Sequence, residues 1–124
     1  MYSRQVLDHF QFPRNAGPLA GAHASVLVDN PGCGDVLQLD ARLEAGRITE
    51  ICFLASGCVP TLACGSALTE LVRGKTLAEA KGLGREVLLR ALGGLPTASV
   101  HASRLAMKGL TSLLAKLDEG AAQR

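Results

Sequence analysis

Apolar and polar positions divide the chain into short segments of differing period. Leu37, Leu39, Ala41 and Leu43 alternate with Gln38, Asp40 and Arg42, the pattern of a strand buried on one face. The run from Ile48 to Ala55 is rich in apolar and β-branched residues and reads as a second strand. Glu44-Ala45-Gly46-Arg47 between them makes a hairpin turn, with Gly46 available for positive φ. Ser25 to Asp29 predicts a short third strand. Helical spacing dominates elsewhere. Tyr2, Val6 and Phe10 line one face of a helix over 2–12, which Pro13 ends. Cys64, Leu68, Leu71 and Val72 form a stripe in a helix that follows Cys58, carries Pro60 in its first turn and closes at Gly74. Thr76 with Glu79 gives a capping box for a short helix to Ala80. Arg85 to Leu92 is helical and stops at Gly93-Gly94. Leu95 to Val100 is a linker into a last helix with Ala106, Leu110, Leu113, Leu114 and Leu117 on its buried face, and fraying is expected from Gly120.

Composition narrows the function classes. The chain has 124 residues, 48% apolar and 19% charged, which suits one folded domain over 1–124. With no Trp, one Tyr and three Phe, the core must be aliphatic. The net charge of +2 comes from cations spread along the chain, so no footprint for nucleic acid is present. No run approaches the ~18 apolar residues of a membrane span, and the start lacks an apolar signal core. A cytoplasmic location is expected. No Ser–His–Asp arrangement, catalytic carboxylate pair or phosphate loop points to an enzyme.

The candidate chemistry lies in cysteines. There are four, Cys33, Cys52, Cys58 and Cys64. No C-x-x-C spacing occurs, and in a cytosolic chain metal or sulfur chemistry is a better use for them than disulfides. Cys58 falls between strand and helix, where a helix N-terminus favours a thiolate. Alone, it could equally be a small buried hydrophobe in a turn. Cys33 sits between two glycines, and Asp35 two residues on shares its face if the segment is extended. In isolation Asp35 would more often only bond backbone N–H groups of the turn. Cys52 is assigned to sheet packing and Cys64 to the core, with Cys64 kept as a reserve thiol. His9 reads as a packing histidine and His23 as a solvated loop residue. His101, near the start of the last helix, is on its own a surface residue. Antiparallel pairing nevertheless brings Asp35, which starts one strand, beside Cys58, which follows the next. His101 joins them only if the last helix begins at that end. Two thiolates, a carboxylate and an imidazole would suit tetrahedral zinc or an unusual iron–sulfur site.

These motifs, in this order, resemble the U-type iron–sulfur cluster assembly scaffolds (the IscU/NifU N-terminal domain type). The likeness runs from Tyr2-Ser3, Val6-Leu7-Asp8-His9-Phe10 and Pro13-Arg14-Asn15-Ala16-Gly17 through Gly32-Cys33-Gly34-Asp35 and Gly57-Cys58. It continues through Thr69-Glu70 and Gly74-Lys75-Thr76 to His101. The resemblance implies an α+β, IscU/SufE-like fold, with a three-stranded antiparallel sheet packed with helices. It also implies that Cys33, Asp35, Cys58 and His101 hold a transient [2Fe–2S] cluster, or zinc in the isolated protein. The implied partners are a cysteine desulfurase, an iron donor and apo-protein cluster acceptors. The family's third cysteine, directly after the histidine, is Ala102 here. Leu95-Pro96-Thr97-Ala98-Ser99 replaces the family's Leu-Pro-Pro-Val-Lys, so an Hsp70-type chaperone partnership is not carried over. The stretch from Cys58 to His101 leaves no room for the insertion of the zinc-dependent sulfur-acceptor branch. Besides the scaffold, two roles fit these residues: a zinc-binding interaction module that docks on a desulfurase, and a sulfurtransferase carrying persulfide on Cys33 or Cys58.

Overall fold

A computed structural model describes residues 1–32 and 34–122; Cys33, one of the predicted site residues, lies outside the described residues. The order of elements is α1 (Arg4–Gln11), β1 (Ala24–Asn30), β2 (Asp35–Glu44), β3 (Arg47–Ser56), α2 (Val59–Val72), α3 (Leu77–Lys81), α4 (Arg85–Ala91) and α5 (Val100–Ala122). The fold is α+β. The strands form one antiparallel sheet in the order β1-β2-β3, as the alternating pattern predicts.

The β2–β3 register fixes one end of the molecule. Val36 pairs with Ser56 and Leu37 with Ala55, so Asp35 and Cys58 meet where the two strands part. At the other end the hairpin turns through Ala45 (φ 52°) and Gly46 (φ 76°). Both central residues are left-handed, as a type I′ turn requires, so Ala45 carries the strain that glycine would avoid.

Leu37, Leu39, Ala41 and Leu43 of β2 face inward with Val26 and Val28 of β1 and Ile51 and Phe53 of β3. Helices α2 and α5 cover this face. The predicted α5 stripe is buried throughout, and Ala102 and Leu105 extend it toward the helix start. Gly65 lets α2 lie against the sheet: a Cβ there would come within 2.6 Å of the Phe53 ring.

Several expectations are corrected. On α1, Val6 is buried but its buried companion is His9; Phe10 is 38% exposed. The His9 ring sits between helices because Ser66 and Glu70 of α2 offer it polar partners, at 2.7 Å (Nδ1 to Oγ) and 3.6 Å (Nε2 to Oε1). Helix α2 is buried on almost every side, not along one stripe, with Thr61, Ala63, Gly65, Ser66 and Thr69 all inside. Leu71 of the predicted stripe is only half-buried. The linker before α5 contains a 3-10 turn, Thr97–Ser99. The last helix continues through Gly120 to Ala122 where fraying is expected. His23 is exposed but not merely solvated, since its Nδ1 accepts the Leu43 N–H at 2.9 Å. Cys52 lies opposite Asp40 on the outer side of the sheet and is half-buried. Burial, together with the nearby Glu50 and Asp40 charges, raises its thiol above the usual range. The short helix behind Thr76 is capped as predicted, with both bonds of the capping box present.

Candidate metal centre

Three loops or element ends converge where β2 begins. Asp35 is the first residue of β2 and lies on its inward face, in line with Leu37 and Leu39. Its side chain is 2% exposed. A carboxylate so placed needs partners. Oδ1 accepts the backbone N–H of Cys58 at 3.1 Å. Gly57 makes this possible. Its φ is 139°, and a Cβ there would fall 2.1 Å from Asp35 Oδ1. Gly57 thus supplies both a left-handed backbone and the space the carboxylate occupies.

Cys58 is the N-cap of α2, in extended conformation, with no side-chain capping bond. Its sulfur is left to face the site. Sγ lies 3.7 Å from Asp35 Oδ2, 3.8 Å from His101 Nε2 and 3.1 Å from Thr61 Oγ1.

His101 is the second residue of α5, which does begin at this end of the sheet. Its Nδ1 lies 3.1 Å from the Ala98 carbonyl oxygen. A carbonyl can only accept, so Nδ1 carries the proton and donates. Nε2 then faces Asp35 Oδ2 at 3.2 Å. In the neutral ring both of these atoms are acceptors, and they need a cation between them: a proton on Nε2 or a metal ion. A backbone carbonyl behind Nδ1 is the arrangement that orients metal-bound histidines.

Donor atoms of Asp35, Cys58 and His101 all lie within 4.8 Å of one another. One sulfur, one imidazole nitrogen and one carboxylate oxygen at such spacing fit three corners of a zinc-type tetrahedron. The group opens into a cleft of about 440 Å³, whose wall includes Tyr2, Pro60, Ala98 and Ser99. An exchangeable ion or a partner's sulfur can reach it.

The structure therefore brings together Asp35, Cys58 and His101 of the four predicted site residues; Cys33, the fourth, follows Gly32 in the sequence and is not described. Cys64 is not among the gathered donors. It is fully buried, and burial, then the adjacent Cys58, pushes its thiol up to about 12. Ala102, at the position where the resemblance expects a third cysteine, is 1% exposed and belongs to the core. Thr61 was not singled out by the sequence. Its one signal was position, three residues after the N-cap, where a side chain can turn back toward the cap.

Comparison with known proteins agrees in sequence and in fold. The family described as "NifU-like N terminal domain" matches residues 1–121. The chain is 42% identical over 110 residues to "Iron-sulfur cluster assembly scaffold protein IscU 1" of Archaeoglobus fulgidus, covering 89% of this chain and 72% of that protein. It is 38% identical over 109 residues to "Iron-sulfur cluster assembly scaffold protein IscU" of Buchnera aphidicola, covering 85% of each. Among solved structures, a NifU-like protein (N-terminal) from Brucella abortus superposes with a TM-score of 0.78 at 18% identity, covering 94% of each chain. That last likeness concerns the fold.

Proposed function

The chain belongs to the NifU-like N-terminal domain family, and from that membership we propose that it is a scaffold on which a transient [2Fe–2S] cluster is assembled and then handed on. The observation that carries this reading is the convergence of Asp35, Cys58 and His101 at one open end of the sheet, in a family whose relatives are named cluster assembly scaffolds. The whole of 1–124 acts as one scaffold domain, and its role is non-catalytic.

Each residue has a distinct part. Cys58, with Cys33, two residues before Asp35 in the sequence, supplies thiolate to iron. His101 offers Nε2, its ring held by Ala98. Asp35 offers a carboxylate oxygen, a harder ligand that holds an iron–sulfur core less firmly than thiolate does. A mixed ligand set of this kind favours release over storage, which suits cargo. Sulfur would come from a cysteine desulfurase, iron from an iron donor, and the cluster would pass to apo-protein acceptors. No described helix is long and apolar enough to cross a membrane, and a cytoplasmic setting fits these partners.

Zinc is a second occupant, favoured by the close spacing of the donors. A [2Fe–2S] cluster divides its ligands between two irons, whereas Asp35, Cys58 and His101 are gathered as for one ion. Zinc alone would make the chain an interaction module that docks on a desulfurase.

Anaerobic reconstitution with a cysteine desulfurase, cysteine, ferrous iron and reductant separates the two. The scaffold reading expects iron and sulfide bound in equal amounts, with visible absorption lost in Cys58→Ala. Zinc retained through purification, with no cluster formed under any of these conditions, would establish the module instead.

A further inference from the structure

Thr61 occupies the first turn of α2 and is 1% exposed. A hydroxyl so deeply buried must be hydrogen-bonded or it destabilises the fold. Among the described residues its side-chain partner is the sulfur of Cys58, at 3.1 Å. Threonine within a helix usually turns its hydroxyl back to a carbonyl three or four residues earlier. Here Oγ1 takes the side chain three residues earlier in place of that carbonyl. The contact is local and rigid, since both residues belong to one helix start and a β-branched side chain has few rotamers.

We propose that Thr61 is a positioning residue for the metal centre: its hydroxyl donates to the Cys58 sulfur, fixes the direction of that thiolate and tempers its donation to the bound ion. The inference rests on the reading of Cys58 as a ligand. A metal-bound thiolate can only accept, so binding sets the bond as O–H to sulfur. A hydrogen bond to sulfur draws electron density away from the metal–sulfur bond. It raises the reduction potential of an iron–sulfur centre, and partners of this kind orient the ligand they contact. Asp35 Oδ2 and His101 Nε2 also approach this sulfur, at 3.7 and 3.8 Å. Thr61 therefore completes the support of Cys58 from within its own helix.

The test uses Co²⁺ alone, added anaerobically to the full chain, with Thr61→Val, Thr61→Ala and Thr61→Ser as variants. Valine keeps the shape and removes the hydroxyl; alanine removes it without adding a group to the core; serine restores it. The expected result is a sulfur-to-cobalt charge-transfer band at lower energy in Thr61→Val and Thr61→Ala than in the wild type, with Co²⁺ affinity reduced roughly 10-fold. Thr61→Ser should return the band to its wild-type position. A reconstituted cluster in Thr61→Val should show a lower midpoint potential. Bands that coincide in all four proteins would overturn the proposal and leave the metal site standing. A band shifted equally by serine would overturn it too, since packing and not the hydroxyl would be responsible. Absence of any charge-transfer band in the wild type would bring down the reading of Cys58 as ligand, and this inference with it.

Discussion

Nε2 of His101 lies 3.2 Å from Oδ2 of Asp35, while Nδ1 of the same ring is tied to the Ala98 carbonyl at 3.1 Å. The second contact decides what the first can be. With Nδ1 donating, Nε2 is the free face of the ring, and a cation is needed between it and the buried carboxylate. His101→Ala removes that face without disturbing the hydrophobic contacts of α5, because the ring points into the cleft. Compared metal-free, the variant should keep the wild-type thermal midpoint; loaded with zinc, only the wild type should gain stability from the ion and carry it through gel filtration. Full retention of zinc by His101→Ala, measured by metal analysis, would remove His101 from the site.

The two cysteines of the α2 region should behave as opposites. Cys58 faces an open cleft at a helix N-terminus. Cys64 lies in the core with its thiol pushed up to about 12 by burial and by its neighbour Cys58. At mildly alkaline pH an alkylating reagent acts on the thiolate. In the native protein Cys58 should be modified and Cys64 spared, with Cys64 reacting only after denaturation. Cys64→Ala should keep the metal and lose about 1 kcal/mol of stability as a small cavity forms. Peptide mass mapping and metal analysis check both halves; metal lost with Cys64→Ala would mean that the thiol is recruited after all.

What could be read from the sequence depended on the range of the interaction. The period-2 pattern of Leu37 to Leu43 made β2 legible because one face of the strand is buried along its length. The α5 stripe was legible for the same reason at helical period. Asp35 and Cys58 could be brought together from the hairpin alone. His101 could not, because local pattern does not say at which end of a sheet a distant helix begins; the family resemblance supplied that. On α1 the apolar spacing pointed to Phe10, whereas the buried neighbour of Val6 is His9. Hydrophobicity cannot register a polar partner such as Ser66 contributed by another helix. In α2 the small residues Ala63, Gly65, Ser66 and Ala67 are buried because they admit close neighbours, a property that a search for large apolar side chains overlooks.

Gly57 and Gly17 offer a controlled pair. Both have positive φ, 139° and 117°, so alanine at either position carries backbone strain on the order of 1–3 kcal/mol. Nothing lies within 4 Å of a Cβ at Gly17, whereas a Cβ at Gly57 would meet Asp35 Oδ1 at 2.1 Å. Both variants should be less stable in urea. Only Gly57→Ala should also lose zinc or Co²⁺ binding, because only there is the carboxylate displaced. Equal metal affinity in the two variants, by titration of the folded proteins, would separate Gly57 from the site.

Ala102→Cys tests whether a third thiol can simply be restored. Successive residues of an α-helix point about 100° apart, and with His101 in the cleft, residue 102 faces the core at 1% exposure. A cysteine there should be accommodated as a small apolar residue. It should resist alkylation and leave the Co²⁺ spectrum as in Ala102. Stronger sulfur-to-cobalt absorption in the variant would show that the first turn of α5 opens when metal binds.

His9 gives the fold a dependence on pH that is independent of the metal centre. Ser66 Oγ accepts the Arg14 N–H at 2.9 Å and lies 2.7 Å from His9 Nδ1. The serine proton is therefore available for Nδ1, which accepts it as a neutral ring, and Nε2–H is directed toward Glu70. Burial lowers the imidazole below its ordinary value and the Arg14 charge lowers it further, against the opposing pull of Glu70 and Asp8. Below the ordinary value near 6.5, the unfolded chain takes up a proton that the folded ring resists. Stability is thus fully present above that value, declines as pH falls toward the folded value, and levels off beneath it. Urea midpoints compared at about pH 7.5 and about pH 5.5, on either side of the free imidazole value, should be lower at the acid condition. His9→Asn, whose carbonyl can still accept from Ser66, should narrow that difference by the share belonging to His9. An unchanged difference in His9→Asn would assign the whole acid sensitivity to other groups and would mean that the ring between α1 and α2 protonates without cost.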